Sequence, residues 1–254
     1  MTDRVSCMDA LEWLRRLRTS SVSAVWTSPP YNLADELRGG GGREAGEFRY
    51  AGGDETRGDG LVKDEAVYQQ EQAAVLSQCY RVLEPLTGVC FYSHKVRIKD
   101  GEAISPLKWI FKTPFVLLQE LVWDRGGTAQ VADCRFLPVS ERVYVLTTRP
   151  FVKLANVHRT PDVLRIPPTH HTRKESGHPC PTHPAIVRAC LDVLPRPKGR
   201  RLLVADPYAG IGTTGIVARE LGMDYLLNDH SEVYASLIRA NLERPAALPL
   251  DLAA

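Results

Sequence analysis

The chain has 254 residues, 32 Lys and Arg against 30 Asp and Glu, and a hydrophobic fraction of 44%. This is the composition of an ordinary globular protein, and the chain is long enough to fold without disulfides or metals. No apolar run approaches the roughly 18 residues of a membrane span, and the polar start argues against a signal peptide. Six scattered cysteines with no Cys-x-x-Cys pair predict reduced thiols in a cytoplasmic protein.

The charge is distributed unevenly along the chain. Residues 142–201 hold twelve Lys and Arg and three Asp and Glu, whereas residues 35–65 hold nine acids and five bases. A basic block of this kind predicts a polyanion partner such as nucleic acid. A solvated surface that happens to be rich in arginine is the alternative.

Local patterns predict alternating helices and strands. In chain order, helices are predicted over residues 8–17 (with Asp9 as N-cap), 64–83, 184–194, 212–221 and 232–242, and strands over 22–26, 88–92, 117–123, 142–146, 201–206 and 225–228. Nine glycines in residues 39–60 predict a mobile loop, and Pro-rich basic coil is predicted up to about residue 182. This alternation favours one α/β domain over residues 1–254 with a mainly parallel sheet.

A glycine-rich motif follows the strand predicted to end at Asp206. Residues 206–215 read Asp-Pro-Tyr-Ala-Gly-Ile-Gly-Thr-Thr-Gly, and Asp229 lies 23 residues beyond Asp206, after the next strand. Glycines allow a tight turn and close approach to a ligand, and the second acid can accept from two ribose hydroxyls. The motif predicts a nucleoside cofactor, either NAD or S-adenosylmethionine.

A second motif, Thr27-Ser28-Pro29-Pro30-Tyr31, also follows a predicted strand. The prolines fix the backbone, so that the Ser28 hydroxyl and nearby carbonyls become rigid acceptors, and Tyr31 offers a flat face. Acceptors beside a stacking ring suit the exocyclic amino group of a flipped nucleobase. A Pro-Pro turn packed by Tyr31 is the structural alternative.

Together the two motifs resemble the amino-methyltransferases of DNA, and their order resembles the beta, circularly permuted group. Residues 5–9 resemble the segment in which an aspartate, here Asp9, contacts the cofactor adenine, although Met8 replaces the usual glycine. His183-Pro184 resembles a His-Pro motif on the methionine side of the cofactor. Residues 210–215 resemble Gly-Ser-Gly-Thr-Thr-Gly, with Ile211 replacing serine.

The resemblance implies a Rossmann-like, circularly permuted S-adenosylmethionine-dependent fold with a twisted, mainly parallel sheet and helices on both faces. It implies S-adenosylmethionine as cofactor, no metal, and duplex DNA as substrate, contacted by residues 126–181. Beta-group relatives are often homodimers, and a homodimer and a cognate restriction endonuclease are the partners that stay open. The implied catalytic residues are Ser28, Pro29, Pro30 and Tyr31. The implied cofactor-binding residues are Asp9, Thr27, His183, Asp206, Pro207, Tyr208, Ala209, Gly210, Gly212, Thr213, Thr214 and Asp229.

The resemblance favours cytosine as the target base. An exocyclic amino nitrogen is a poor nucleophile because its lone pair is delocalised, and acceptors at Ser28 Oγ and the Pro29 carbonyl would free that lone pair. By resemblance, Ser or Thr at position 28 goes mostly with N4-cytosine enzymes and Asp or Asn with N6-adenine enzymes, which remain the alternative. No Pro-Cys nucleophile follows a predicted strand, which argues against C5 methylation.

Other classes are less well supported. An NAD-dependent oxidoreductase would need more than the about 25 residues that follow Asp229. A zinc-dependent DNA-binding module could use His170, His171, His178, Cys180 and His183, but these lack a second regularly spaced ligand pair. Methylation of RNA or protein stays open, because the basic block does not distinguish DNA from RNA.

Overall fold

The computed structural model describes residues 4–32, 63–127, 135–167 and 181–244. Within these ranges the chain forms ten strands and six α-helices. The strands are β1 (Val5–Cys7), β2 (Ala24–Thr27), β3 (Val89–His94), β4 (Arg97–Lys99), β5 (Glu102–Ile104), β6 (Val116–Asp124), β7 (Ser140–Thr147), β8 (Val163–Arg165), β9 (Leu203–Asp206) and β10 (Asp224–Asp229). The helices are α1 (Ala10–Arg16), α2 (Glu65–Val82), α3 (Leu107–Ile110), α4 (Pro184–Asp192), α5 (Thr213–Glu220) and α6 (Glu232–Glu243).

Eight strands form one sheet in the order β1-β10-β9-β2-β3-β7-β6-β8, and β4 and β5 form a separate antiparallel hairpin. The first five strands of the large sheet are mutually parallel. Strand β7 is antiparallel to both β3 and β6, and β8 is parallel to β6, so β7 alone among these eight strands runs in the opposite direction. The predicted mainly parallel sheet is confirmed.

Helices cover both faces of the sheet. Side chains of successive strand residues point to opposite faces, so Trp26 and Phe91 pack with α4, α5 and α6, whereas Val25 and Cys90 pack with α1, α2 and α3. Strands that are buried on both faces need continuous apolar sequence, and β2 and β3 are buried along their whole length. The α/β architecture predicted from the alternation of elements is confirmed.

Helix starts were predictable because their capping side chains are local. The carboxylate of Asp9 accepts from the backbone N–H of Glu12 at 3.0 Å, and that of Asp64 accepts from the first turn of α2.

The coil predicted up to residue 182 is wrong in part, because it contains β8 and a 3₁₀ turn at Val157–Arg159. Sequence reasoning also missed β1, β4, β5 and α3, which are three or four residues long.

The carboxyl ends of the parallel strands lie at one edge of the sheet, called here the carboxyl edge. This edge collects Cys7, Thr27, His94, Asp206 and Asp229, the last residues of β1, β2, β3, β9 and β10. Because β7 is reversed, its first residues also lie at this edge. The Gly-rich segment 39–60 lies outside the described residues. No described helix is long and apolar enough to cross a membrane.

Candidate active site

The glycine-rich loop between β9 and α5 has the conformation that its glycines make possible. Gly210 and Gly212 have φ angles of 55° and 88°, in the left-handed region that favours glycine. A Cβ on Gly215 would lie 2.6 Å from Leu227 Cδ1, so the third glycine lets α5 pack closely on β10. The three glycines therefore shape the loop and seat its helix on the sheet.

Asp206 ends β9 and is buried, 2% exposed. Its carboxylate accepts from the Tyr208 backbone N–H at 3.0 Å and from the Thr214 hydroxyl at 2.5 Å. Burial raises the pKa of Asp206 to about 7, an increase that these two hydrogen bonds only partly offset. Because the two hydrogen bonds offset only part of the cost of burying its negative charge, the Asp206 carboxylate would be stabilised by a cationic ligand.

Asp229 ends β10 and faces the same loop. Its two carboxylate oxygens accept from the backbone N–H groups of Gly210 and Ser231, each at 3.0 Å. Burial raises the pKa of Asp229 as well. The backbone N–H of His230 also donates to this carboxylate. An ionised carboxylate has about four acceptor positions, so capacity remains for a ligand hydroxyl.

Asp9 follows β1, the edge strand beside β10. Cys7 lies opposite Asp229, and the Met8 N–H donates to the Asp229 carbonyl at 3.2 Å. The amide of Asn228 donates to the Met8 and Pro207 carbonyls at 3.0 and 3.2 Å. These bonds hold the start of α1 against the glycine-rich loop, which places Asp9 beside it.

The Ser-Pro-Pro-Tyr turn lies next to this loop. Val25 of β2 is opposite Ala205 of β9, so Ser28 and Pro207 follow adjacent parallel strands. Thr27 is fully buried, and its Oγ1 has no hydrogen-bond partner among the described residues. Ser28 is partly exposed and directly follows β2 at the carboxyl edge. The two motifs, about 180 residues apart in sequence, are thus brought together.

Tyr31 makes contacts that the sequence did not predict. Its hydroxyl donates to Glu141 Oε2 at 3.1 Å and lies 3.3 Å from Ser28 Oγ and 3.5 Å from Ser93 Oγ. The His94 ring lies against the Tyr31 ring, with centroids 4.5 Å apart. One side of the predicted stacking ring is therefore occupied by His94.

Two further side chains, those of Tyr68 and His94, support the Ser-Pro-Pro-Tyr turn. The hydroxyl of Tyr68 of α2 lies 2.8 Å from both the Pro30 carbonyl and His94 Nε2, and its single hydrogen can be donated to either of these acceptors. Burial lowers the pKa of His94 to about 3, so the ring is neutral at physiological pH. Neither residue could be assigned from its sequence spacing, because both act across elements.

The remaining predicted cofactor residues fall into two groups. Ala209 donates its N–H to the Asn228 carbonyl at 2.8 Å, and Thr213 begins α5, so both belong to the glycine-rich loop. His183 caps α4, with Nδ1 accepting from the Ala185 N–H at 3.1 Å, and burial lowers the pKa of His183. His183 therefore caps α4 in the structure, and no described residue of the glycine-rich loop forms a hydrogen bond with its side chain.

The donor set at the carboxyl edge fits S-adenosylmethionine. Buried polar atoms without partners among the described residues include Thr27 Oγ1, Asn228 Oδ1 and Ser231 Oγ, all at the ends of β2 and β10. Two buried acids, Asp206 and Asp229, lie at neighbouring strand ends. A cation with a ribose diol would pair with both the acids and the unpartnered atoms.

The predicted basic block is divided between opposite edges of the sheet. Arg142, near the start of β7, lies at the carboxyl edge, whereas Arg200 and Arg201 precede β9 at the other edge. Arg200 pairs with Glu84, and Arg188 pairs with Glu220. Residues 168–180, which include Cys180 and every histidine of the zinc alternative except His183, lie outside the described residues. The described residues of the block therefore do not form one continuous cationic face.

Two solved structures share the fold of this chain. The cytosine-N4-specific PvuII DNA methyltransferase aligns with a TM-score of 0.71 at 16% identity, covering 96% of this chain and 87% of that one. A Thermus thermophilus protein assigned as a DNA modification methylase, solved with S-adenosyl-L-methionine, aligns with a TM-score of 0.64 at 19% identity and covers 94% and 93%. At these identities the likeness shows the shared fold.

Sequence comparisons identify the family. The type II methyltransferase M.BglII of Bacillus subtilis is 25% identical over 249 residues, covering 84% of this chain and 61% of that protein. The chain thus spans about three fifths of the length of the curated relative that it matches. A family model described as DNA methylase, of the N6 and N4 methyltransferases, matches residues 22–240, a range that includes both motifs. The chain belongs to the N6/N4 DNA methylase family.

Proposed function

We propose that the protein transfers a methyl group from S-adenosylmethionine to the exocyclic N4 of cytosine in duplex DNA. The observation that carries this proposal is the position of Ser28. Ser28 is partly exposed and directly follows β2, the strand next to the one that leads into the glycine-rich loop. S-adenosylmethionine would supply an electrophilic methyl group, and the Thermus protein of similar fold, which was solved with this cofactor, supports that choice.

The chain's own residues bind and orient the two reactants. Asp229 would accept from the ribose hydroxyls, Asp206 would face the cationic methionine end, and Asp9 would contact the adenine. Ser28 Oγ and the Pro29 carbonyl would each accept one N–H of the amino group, which draws the nitrogen toward tetrahedral geometry and frees its lone pair. Such orientation supplies much of the rate in a transfer that needs little acid–base chemistry.

The base assignment rests on the hydroxyl at position 28. A neutral hydroxyl stands where the resemblance places a carboxylate or amide in adenine enzymes, and the fold is shared with a cytosine-N4-specific enzyme. N6-adenine is the alternative within the family. A circularly permuted origin, a homodimer and a cognate endonuclease stay predictions, and M.BglII, a type II methyltransferase, supports the last of them.

DNA would approach the ends of β6, β7 and β8, beside the Ser-Pro-Pro-Tyr turn. Asp124 lies opposite both Ser140 and Arg165, so the β6–β7 connection and the end of β8 share the carboxyl edge. Arg165 is exposed there, and Phe136 is 98% exposed. Cations bind phosphates, and an exposed aromatic ring can stack on bases.

The experiment is transfer of labelled methyl from S-adenosylmethionine to duplex DNA, RNA and protein in parallel. Label in DNA alone is expected. Ser28→Ala should reduce transfer by orders of magnitude while cofactor binding, measured by calorimetry, survives, because the loss falls on the reacting geometry. Ser77→Ala, which removes a hydroxyl bonded to the Ala73 carbonyl within α2, is the matched control. Label in RNA or protein but not in DNA would overturn the proposed substrate.

A further inference from the structure

A carboxylate reaches the Ser-Pro-Pro-Tyr turn from a strand that neither motif includes. Glu141 is the second residue of β7, and its side chain is 13% exposed. One of its oxygens pairs with Arg125 at 2.8 Å, and the other accepts from the Tyr31 hydroxyl at 3.1 Å. Tyr31 in turn lies 3.3 Å from Ser28 Oγ. Glu141, Tyr31 and Ser28 therefore form a linear hydrogen-bond chain, called here the Glu141 chain.

The hydrogens in this chain can point in only one direction. An ionised carboxylate has no hydrogen, so Tyr31 must donate its single hydroxyl hydrogen to Glu141. The Tyr31 oxygen can then only accept, which means that the contact with Ser28 uses the serine hydrogen. The same reasoning applies to Ser93, 3.5 Å away. Ser28 Oγ is left with its lone pairs free to accept.

Two features maintain this arrangement of hydrogens in the Glu141 chain. Burial and the negative charge of Glu141 raise the pKa of Tyr31 well above its ordinary value, so Tyr31 keeps its hydrogen at physiological pH. Arg125 holds the Glu141 carboxylate from the other side, and its guanidinium lies over the Trp123 ring, 5.7 Å from the centroid. The position of Glu141 therefore depends on contacts independent of Tyr31.

We propose that Glu141 is a positioning residue for methyl transfer, which acts through Tyr31 to present Ser28 Oγ as an acceptor to the amino group of the target base. A free serine hydroxyl can direct its hydrogen at an amine, which opposes the required bond. In the Glu141 chain that hydrogen is engaged, and a hydroxyl that donates becomes a stronger acceptor. A neutral serine thereby gains part of the accepting power of a carboxylate.

This inference rests on the proposed function, and its test is a double-mutant cycle on single-turnover methyl transfer. Glu141→Gln should lower the rate of transfer by about tenfold or more, the effect of a hydrogen bond to a charged group. Cofactor affinity and the KM for DNA should stay unchanged. Adding Glu141→Gln to Tyr31→Phe should cost nothing further, because the link is already broken. Glu141→Asp should recover more rate than Glu141→Gln.

The matched control is Glu120→Gln. Glu120 lies on the neighbouring strand β6, is more exposed than Glu141 and contacts Arg142 at 3.9 Å, so the variant removes a nearby carboxylate that is not part of the Glu141 chain. Its rate should equal that of the wild type. Losses that multiply in the double variant, or a wild-type rate for Glu141→Gln, would overturn the proposal. A fall in cofactor affinity for Glu141→Gln would also overturn it, because it would show a general structural role.

A second readout separates failure of this inference from failure of the proposed function. The hydrogen-bonded hydroxyl proton of Tyr31 should give a downfield NMR resonance that is absent in Tyr31→Phe and shifts upfield in Glu141→Gln. This result does not need DNA methylation. If the resonance shifts but no DNA is methylated, the proposed function fails and the Glu141 chain stands. If the resonance does not respond to Glu141→Gln, the proposed hydrogen bonding in the Glu141 chain is wrong.

Discussion

The backbone N–H of Gly210 donates to Asp229 Oδ2 at 3.0 Å, which joins the glycine-rich loop to the end of the neighbouring strand. The left-handed φ of Gly210 belongs to the turn that positions this N–H, and Asp229 is 7% exposed. The acid therefore both shapes the loop and keeps acceptor positions for a ligand. The proposed ribose site depends on this pair.

Asp229→Ala should weaken binding of S-adenosylmethionine by about 1–3 kcal/mol, the cost of leaving buried polar groups unpaired. Isothermal titration calorimetry gives the affinity directly. Asp224→Ala is the control, because Asp224 begins the same strand at the opposite edge and pairs only on the surface with Arg4 and Arg201. Equal affinity of Asp229→Ala and wild type would remove Asp229 from the cofactor site.

Asp206 should make stability depend on pH. Its pKa is raised by burial to about 7, so the folded state binds more protons than the unfolded state between about pH 4 and pH 7. The free energy of unfolding should therefore fall as pH rises through this window, by up to about 1.4 kcal/mol per pH unit. Asp206→Asn should flatten that slope in denaturant titrations at several pH values.

The control for this pH effect is Asp192→Asn, since Asp192 is half exposed and pairs with Arg196 on the surface of α4. Its slope should match that of the wild type. A slope of Asp206→Asn that is as steep as the wild-type slope would mean that another group, such as Asp229, accounts for the titration.

The parts of the fold that were predictable from sequence are those encoded by neighbouring residues. Asp9 and Asp64 cap their helices within three residues, and Gly210, Gly212 and Gly215 act within one loop and the helix that follows it. Local patterns of this kind also located the two motifs. The strand order that brings them together was not predicted, because it depends on pairing between residues that are distant in sequence.

The partners of the motifs could not be predicted, because they are distant in sequence. Glu141 lies 110 residues from Tyr31, and Tyr68 lies 38 residues from Pro30. Neither has a spacing signal, and a buried histidine such as His94 resembles any core residue in sequence. Strand β8 was missed because three residues within Pro-rich basic sequence carry no strand pattern.

Phe136 should contribute to the binding of duplex DNA. It is 98% exposed between the ends of β6 and β7 at the carboxyl edge, and base–aromatic stacking contributes about 1–3 kcal/mol. Phe136→Ala should lower kcat/KM on duplex DNA by about tenfold and have less effect on DNA with a mismatched target base, which leaves the stack more readily. Phe151→Ala is the control, since Phe151 is 90% exposed beyond the opposite end of β7. Equal losses in the two variants would contradict a specific role.

Arg165 should contact a phosphate. If it does, Arg165→Ala should reduce the slope of log affinity against log salt by about 0.9, the value for one phosphate contact with duplex DNA. Lys198→Ala should leave the slope unchanged, because Lys198 is exposed before β9 at the opposite edge. Fluorescence anisotropy over a salt series measures both slopes. A smaller slope for Lys198→Ala alone would place DNA on the other edge.

The identity of the methylated nucleoside tests the account most directly. DNA methylated in vitro by the purified protein is digested to nucleosides, and the product is identified by mass spectrometry. The hydroxyl acceptor at Ser28 predicts N4-methylcytosine. N6-methyladenine would contradict the base assignment while leaving the family intact, and the absence of both products would contradict the proposed activity.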